Sequence, residues 1–260
     1  MKIRFVLFCL IILVFSCKTT KTVKQPNATP DTSADSSSLL AQLLQQNVAF
    51  FEPYLKDKEK YKIQIIYTQI DRKANNKPVF TDYFFNVDPS AYFYPASTVK
   101  MPVALFALEE INKLKASGVT RTSSMITEAS YSGQTPVYND PGSPDGIPTV
   151  ESYVKKIFLV SDNDAFNRLY EMVGQEQINK RLREMGYKDD CIIHRLSIPL
   201  SPDENRHTNP VKFYDDSTAL LYEQPMRHNT KPHPDRKDFL GKGYYSGGAL
   251  INQPMDFSYK

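Results

Sequence analysis

A serine and a lysine three residues apart, Ser97 and Lys100, stand where a turn gives way to an apolar segment. Met101 to Leu108 contains only apolar residues, so we expect a buried helix with both side chains on one face of its first turn. Burial lowers the pKa of a lysine, because the charged form loses its hydration. Such an amine can take a serine proton, and N–H groups at a helix start can hold an oxyanion. Ser97 is therefore a candidate nucleophile and Lys100 a candidate base.

A second polar motif, Ser161-Asp162-Asn163, precedes another helical segment. Serine, aspartate and asparagine are also the ordinary N-cap residues of helices, and Ser97 could be a cap as well. Each motif taken alone is therefore explained at least as well by capping as by catalysis. The occurrence of both, each at a helix boundary, favours catalysis.

The pair Ser97-x-x-Lys100 and Ser161-Asp162-Asn163 resembles the active-site-serine penicillin-recognising family, which includes class A β-lactamases and D-alanyl-D-alanine peptidases. The resemblance covers about Leu39 to Pro210, where the order of predicted elements also agrees. It implies an α+β fold of the α/β sandwich type, with an all-helical subdomain and an antiparallel sheet. It also implies acyl transfer on an amide or ester, with a β-lactam or peptidoglycan-peptide-like substrate and no cofactor.

The same resemblance implies a role for each motif residue. Ser97 becomes the acylated nucleophile and its N–H an oxyanion donor, while Lys100 is the base or the partner of the base. Ser161 relays a proton toward the leaving nitrogen. Asn163 binds the substrate amide and steadies Lys100, and Asp162 is structural.

The sequence departs from the family pattern in two places. The first is the loop between Arg195-Leu196 and Arg206-x-Thr208-x-Pro210, and the second is the third motif of the family. Class A enzymes carry a glutamate in this loop that activates the deacylating water. Glu204, or else Asp203, is the candidate deacylation base here, although its spacing differs. Because a misplaced base leaves the acyl-enzyme intact for longer, the sequence argues against an efficient β-lactamase.

The third motif of the family, Lys-Thr/Ser-Gly on a strand, has Gly241-Lys242-Gly243 as its nearest counterpart, which lacks that form. We expect an incomplete antiparallel sheet and a chain that is truncated at its C-terminus. If the chain is complete, weak or no catalysis is expected. The alternative function is therefore a catalytically inactive envelope lipoprotein that binds peptidoglycan or a partner.

The pattern of apolar residues predicts the elements that must position these motifs. A loop is expected over Thr120 to Gly146. The remaining predictions are a helix over Leu39 to Tyr54, a hairpin from Tyr61 to Asp71 and Val79 to Val87, helices over Val150 to Val160, Ala165 to Val173 and Gln175 to Met185, and two short helical pieces between Pro210 and Tyr222.

The N-terminus has the form of a bacterial export signal. A basic start, an apolar run from Phe5 to Phe15 and the ending Val14-Phe15-Ser16-Cys17 resemble a lipobox. We predict a signal peptide over 1–16, a disordered tether over 17–38 and the enzyme domain over 39–260. Cys17 would carry the lipid that anchors the protein to the envelope membrane on its periplasmic side. An ordinary secretory signal with an incidental cysteine is the alternative.

Composition and residue spacing exclude several other functions. The balance of 32 basic and 29 acidic residues, a net charge of +3, does not favour nucleic-acid binding. Cys191 is the only cysteine outside the leader and anchor, so no intramolecular disulfide is expected. The four histidines, His194, His207, His228 and His233, lack a recognised zinc spacing, and no metal site is expected. The segment Gly243 to Gly248 is not a nucleophile elbow. We expect a monomer.

Overall fold

The computed structural model describes residues 39–233 and 236–258, which form a mixed α+β arrangement. The predicted signal peptide, the tether and Cys17 lie outside these residues. The helices are α1 (Leu39–Gln46), α2 (Val48–Lys56), α3 (Lys100–Leu114), α4 (Val150–Val160), α5 (Asn163–Val173), α6 (Gln175–Glu184) and α7 (Pro202–Arg206). No helix of the described ranges is both long and apolar enough to cross a membrane.

The strands are short and pair antiparallel. They are β1 (Ile65–Arg72), β2 (Pro78–Phe85), β3 (Ser124–Thr127), β4 (His207–Thr208), β5 (Val211–Tyr214), β6 (Leu220–Gln224), β7 (Arg227–His228), β8 (Phe239–Leu240), β9 (Tyr244–Ser246), β10 (Ala249–Ile251) and β11 (Met255–Asp256).

The core is built around α5, which packs against α3, α4 and α6. Every residue of α5 from Ala165 to Val173 is buried, so beyond its first two residues this helix is covered on all sides. The helices on either side have defined ends. Thr149 caps α4 through a reciprocal pair of hydrogen bonds with Ser152, and Gly174, with φ of 84°, ends α5. These caps fix the two chain segments between which the second motif lies.

Helix α3 is only half buried, which corrects the expectation of a fully buried helix. Val103, Ala104 and Ala107 are fully buried, whereas Met101 is 55% and Leu105 54% exposed. The physical reason is that α4 and α5 cover one side of α3 only. An apolar sequence therefore did not specify burial on every face.

The predicted β-hairpin is confirmed. Strands β1 and β2 pair in continuous register from Ile65 opposite Phe85 to Arg72 opposite Pro78. Within the described residues no third strand pairs with either of them, and α1 packs against β2. This sheet therefore has two strands there; the expected truncation of the chain remains a prediction.

The two helical pieces expected between Pro210 and Tyr222 are wrong. This segment contains β5 and the start of β6, which form a three-stranded sheet with β3, itself inside the expected loop. In β5, Val211 and Phe213 are buried while Lys212 and Tyr214 are less so. This alternation has the period of two that is typical of a strand rather than the helical period.

Candidate active site

Ser97 lies in a 3-10 turn, Ala96–Val99, that runs directly into α3. Its carbonyl accepts the backbone N–H of Lys100, so the two residues follow each other on one continuous helical path. The Ser97 side chain is exposed and lines a cleft of about 930 Å³. The candidate nucleophile is thus accessible to a substrate, and the turn holds it at the start of the half-buried helix α3.

The amine of Lys100 is buried against the second motif. Lys100 is 3% exposed, and its Nζ donates to Ser161 Oγ at 2.9 Å, to Asn163 Oδ1 at 2.7 Å and to the Ser161 carbonyl. These three acceptors match the three protons of an ammonium group. Desolvation lowers the pKa of Lys100, and the nearby charge of Asp162 partly opposes this effect. The structure therefore brings Lys100, Ser161 and Asn163 together.

The Ser97 hydroxyl makes no hydrogen bond to Lys100 among the residues that the structure describes. Ser97 nevertheless shares the lining of the cleft with Asn163, whose side chain contacts the Lys100 amine. Catalytic hydrogen bonds are often long or misaligned without substrate and tighten only in the complex. The arrangement is consistent with a serine that meets the amine when a substrate occupies the cleft.

Ser161 and Asp162 form the junction between two helices: Ser161 follows the C-terminal end of α4, and Asp162 precedes the N-terminal end of α5. Ser161 ends α4 in the left-handed conformation, with φ of 53° and ψ of 43°. Asp162 begins α5, and its carboxylate accepts the N–H of Ala165 at 2.9 Å. The sharp reversal between the two helices turns the Ser161 hydroxyl and carbonyl and the Asn163 amide toward a single amine.

Ser197 is a site residue that the sequence interpretation did not single out. Its Oγ accepts a hydrogen bond of 2.7 Å from Asn163 Nδ2, and its side chain lines the cleft. Because Asn163 Oδ1 binds Lys100, the Asn163 side chain links the lysine helix to the loop that carries Ser197. The signal available in the sequence was position, since Ser197 directly follows Arg195-Leu196 at the predicted loop start.

Three of the eight non-glycine residues with positive φ in the described part of the chain lie at or beside the candidate site. Ala96, Ser161 and Ser197 all have positive φ, at 47°, 53° and 58°, although none is glycine. Such conformations cost about 1–3 kcal/mol each and persist where the surroundings enforce them. Each of the three residues is, or directly precedes, a hydroxyl residue of the site, so the strain accompanies the placement of those hydroxyls.

Arg195 holds the loop between Arg195 and Pro210 in place through buried contacts. Its guanidinium donates to Glu171 Oε1 at 2.6 Å, to the His207 carbonyl at 2.9 Å and to Asn209 Oδ1 at 3.1 Å. Glu171 is also within 3.2 Å of Arg168, and all three charged side chains are 1% exposed. This ion cluster holds both ends of the loop against α5.

Glu204, the candidate deacylation base, is occupied by other contacts. One carboxylate oxygen accepts Ser132 Oγ at 2.8 Å, and the other accepts the Ser201 N–H at 2.8 Å in a capping box of α7. These bonds lower the pKa of Glu204, led by the backbone bond from Ser201. The residue is not among those that line the cleft. Its placement supports a structural role.

The counterpart of the third motif lies outside the cleft lining, whereas several other ionisable residues are part of it. Lys242 is exposed in the turn between β8 and β9, and the cleft lining does not include it. Arg206 and Asp256 contribute charge to the cleft wall. His233 also lines the cleft, and burial lowers its pKa.

Comparison with known proteins identifies one family. The family model described as "Beta-lactamase enzyme family" matches residues 32–228. No curated protein and no solved structure gives a match. The matched range contains Ser97, Lys100, the second motif and the Arg195 loop.

The buried ion cluster gives a stability prediction. Glu171→Gln leaves the buried Arg195 guanidinium without its carboxylate partner and leaves Arg168 with the exposed Asp164, 3.5 Å away, so we expect a loss of about 3–5 kcal/mol in the free energy of unfolding, measured by urea denaturation. The control is Glu151→Gln, which removes a partly exposed surface carboxylate between the exposed Arg121 and Lys155 and should cost about 0–1 kcal/mol. Equal losses in the two variants would contradict the assigned role of the cluster.

Proposed function

The chain belongs to the beta-lactamase enzyme family, and we propose that it forms an acyl-enzyme at Ser97 with an amide or ester substrate of the β-lactam or peptidoglycan-peptide type. The observation that carries the proposal is the buried Lys100 amine, held by Ser161 and Asn163 beside a cleft that exposes Ser97. Membership of the family supports a serine hydrolase of the β-lactamase and transpeptidase type.

In the proposed reaction, Lys100 acts as the neutral amine. The Ser97 oxygen attacks the substrate carbonyl as its proton moves to Lys100, and a tetrahedral oxyanion forms. The N–H of Ser97 lies in the first turn of a helical segment, where N–H groups lack intrahelical acceptors, and would bind that oxyanion. When the carbon–nitrogen bond breaks, the leaving nitrogen takes a proton from Lys100 through Ser161.

Ser161 is suited to this relay because a hydroxyl both donates and accepts. Its oxygen accepts from the Lys100 ammonium at 2.9 Å. With the amine neutral, the same hydroxyl can turn and donate to it, or donate to a leaving nitrogen in the cleft. Asn163 would keep the amine in place and donate its own amide group to the substrate once Ser197 is displaced.

We further propose that hydrolysis of the acyl-enzyme is slow. The loop side chain that contacts Asn163 is the hydroxyl of Ser197 rather than a carboxylate, and the carboxylate of Glu204 is bound by Ser132 and Ser201. A neutral hydroxyl is a poor base for activating water. Asp256 is the acidic side chain among the described residues that line the cleft, and its Oδ1 accepts the Ser258 N–H at 2.8 Å.

Attachment to the envelope through Cys17 remains a proposal from the sequence. A lipid at this position would place the domain beside peptidoglycan, at the end of the proposed tether of residues 17–38. This location fits a peptidoglycan-like substrate as well as it fits a β-lactam. It also fits the alternative of an inactive lipoprotein that binds peptidoglycan.

The first prediction from the proposed function concerns covalent labelling by a fluorescent penicillin, with a fluorophosphonate as a second probe. We expect stable label on the full chain and none on Ser97→Ala. In Lys100→Ala the labelling rate should fall about 10²- to 10⁴-fold, because proton transfer loses its base. The readout is fluorescence in a denaturing gel over time.

The control for labelling is Ser130→Ala, which removes an exposed hydroxyl outside the cleft lining and should leave the rate unchanged. Unchanged labelling in Lys100→Ala would contradict the assigned base. If a folded wild-type chain takes up neither probe, the inactive binding protein becomes the better account.

The pH dependence of labelling gives a second prediction. Burial lowers the Lys100 pKa, and the amine must be neutral to accept a proton. The rate should therefore rise with pH and level off below about 10.4, the ordinary lysine value. Asp162→Asn keeps a capping side chain but removes the charge that raises the pKa, so the midpoint should move to lower pH.

The matched control for this pH shift is Asp164→Asn, an exposed first-turn residue of α5 that does not contribute to the Lys100 shift. Its midpoint should remain at the wild-type pH. A midpoint that stays fixed in Asp162→Asn would show that another group controls the rate.

The third prediction concerns release of the acyl group. A chromogenic β-lactam should give a burst of about one equivalent per chain, followed by much slower turnover, because no carboxylate of the described residues hydrogen-bonds to Asn163 or Lys100, where it could activate water. Asp256→Asn should leave the slow phase unchanged. Rapid turnover without a burst would refute slow deacylation, and a slower second phase in Asp256→Asn would identify that carboxylate as the base.

A further inference from the structure

Two histidines and an aspartate that the sequence separates come together beside the loop. His207 in β4 and His228 in β7 are direct cross-strand partners. Asp203 lies in α7, four residues before His207. One potential ligand atom from each residue lies within 4.8 Å of the others. None of these three side chains takes part in the proposed acyl transfer.

The cluster is held in place by an aromatic stack. The His207 ring lies between those of Tyr131 and His228, with centroid distances of 3.7 and 3.8 Å and nearly parallel planes. Tyr131 donates its hydroxyl to Asp203 Oδ2 at 2.6 Å, and His207 Nδ1 lies 2.9 Å from the Asp203 carbonyl. Contacts of this kind around a metal site fix the ring orientation and leave the other nitrogen available.

The site is supported on one side and open on the other. His207 is buried, at 7% exposure, while His228 is exposed and the Asp203 side chain is 47% exposed. An ion can therefore enter from solvent without opening the core. Two imidazoles and a carboxylate form a donor set of the kind that zinc and neighbouring divalent metals prefer, with water as the fourth ligand.

Some rearrangement is required for binding. Bonds of about 2.0–2.1 Å place neighbouring ligands of a tetrahedral ion nearer together than 4.8 Å. In stacked rings the nitrogen lone pairs lie in parallel planes, so His228 must turn, which its exposure permits. Arg206 donates to Asp203 Oδ1 at 2.5 Å and competes with the ion for that carboxylate.

We propose that Asp203, His207 and His228 form a binding site for a divalent transition-metal ion of the Zn²⁺ class. The bound ion links α7 to β7. Three residues of α7 line the cleft: Pro202, Asn205 and Arg206. The metal would therefore stabilise α7, which is the part of the loop that forms one wall of the candidate active site. This site is separate from the acyl-transfer groups and does not depend on the proposed reaction.

The proposal is tested by titrating the full chain with Zn²⁺ against a chromophoric chelator. We expect one equivalent to bind, and we expect His228→Ala and Asp203→Asn each to weaken binding about tenfold or more. Matched controls are His194→Ala and His233→Ala, which remove imidazoles outside the cluster and should leave the affinity unchanged. Because His228 is exposed, its variant should fold, and circular dichroism checks that it does.

A second readout uses Co²⁺, whose visible absorption reports its ligands. The wild-type chain should develop bands that His228→Ala does not, and binding should weaken as the pH falls because protons compete for the imidazole nitrogens. Zn²⁺ should also raise the melting temperature of the wild type but not that of His228→Ala. Absence of stoichiometric binding, or equal affinity in wild type and His228→Ala, would overturn the proposal.

Discussion

The buried amine of Lys100 imposes the main constraint on this structure. An ammonium group out of water needs an acceptor for each of its protons, since an unsatisfied buried charge is very costly. Here the acceptors are the Ser161 hydroxyl, the Ser161 carbonyl and the Asn163 amide oxygen. These groups are available only because α4 ends and α5 begins within three residues. The helix junction therefore supplies the acceptors that the amine needs, and the amine in turn stabilises these groups in their positions.

The helical core makes this junction possible by holding backbone that is unfavourable on its own. Ser161 is in the left-handed conformation between two capped helices, and α5 is buried from Ala165 to Val173. Ser197, also left-handed, lies in a loop that Arg195 ties to Glu171 inside the core. Burial of many apolar side chains outweighs the strain at a few positions. Rigidity around the cleft thus comes from packing outside it.

The sequence predicted the positions of the candidate site residues at helix ends better than it predicted the burial of the surfaces around them. Within each motif the residues are adjacent or three apart along the chain, so local periodicity sufficed to place each motif at a helix end. Burial of α3 was overestimated, because hydrophobicity shows what a helix can bury and not how many neighbours cover it. The contact between Asn163 and Ser197 depends on the path of a loop, which no local pattern encodes.

The same distinction explains the errors in the second half of the chain. Val211-Lys-Phe-Tyr214 alternates over only four residues, too few to separate a strand from a helical turn until β3 and β6 pair with it. His207 and His228 likewise have no sequence spacing typical of metal ligands and become neighbours only through pairing of β4 with β7.

Glu204 is the opposite case, a residue that the sequence suggested for catalysis. Its side chain is acidic and lies near the loop position expected for the deacylation base. Its neighbours use that charge as a helix cap and leave it no free oxygen. A carboxylate that accepts a backbone N–H and a hydroxyl is held in its ionised form, and both oxygens of Glu204 are engaged outside the cleft lining. The character of this site therefore follows from which charges the fold has already engaged: the Lys100 amine contacts Asn163, which lines the cleft, while the carboxylates of Glu171 and Glu204 hold the loop.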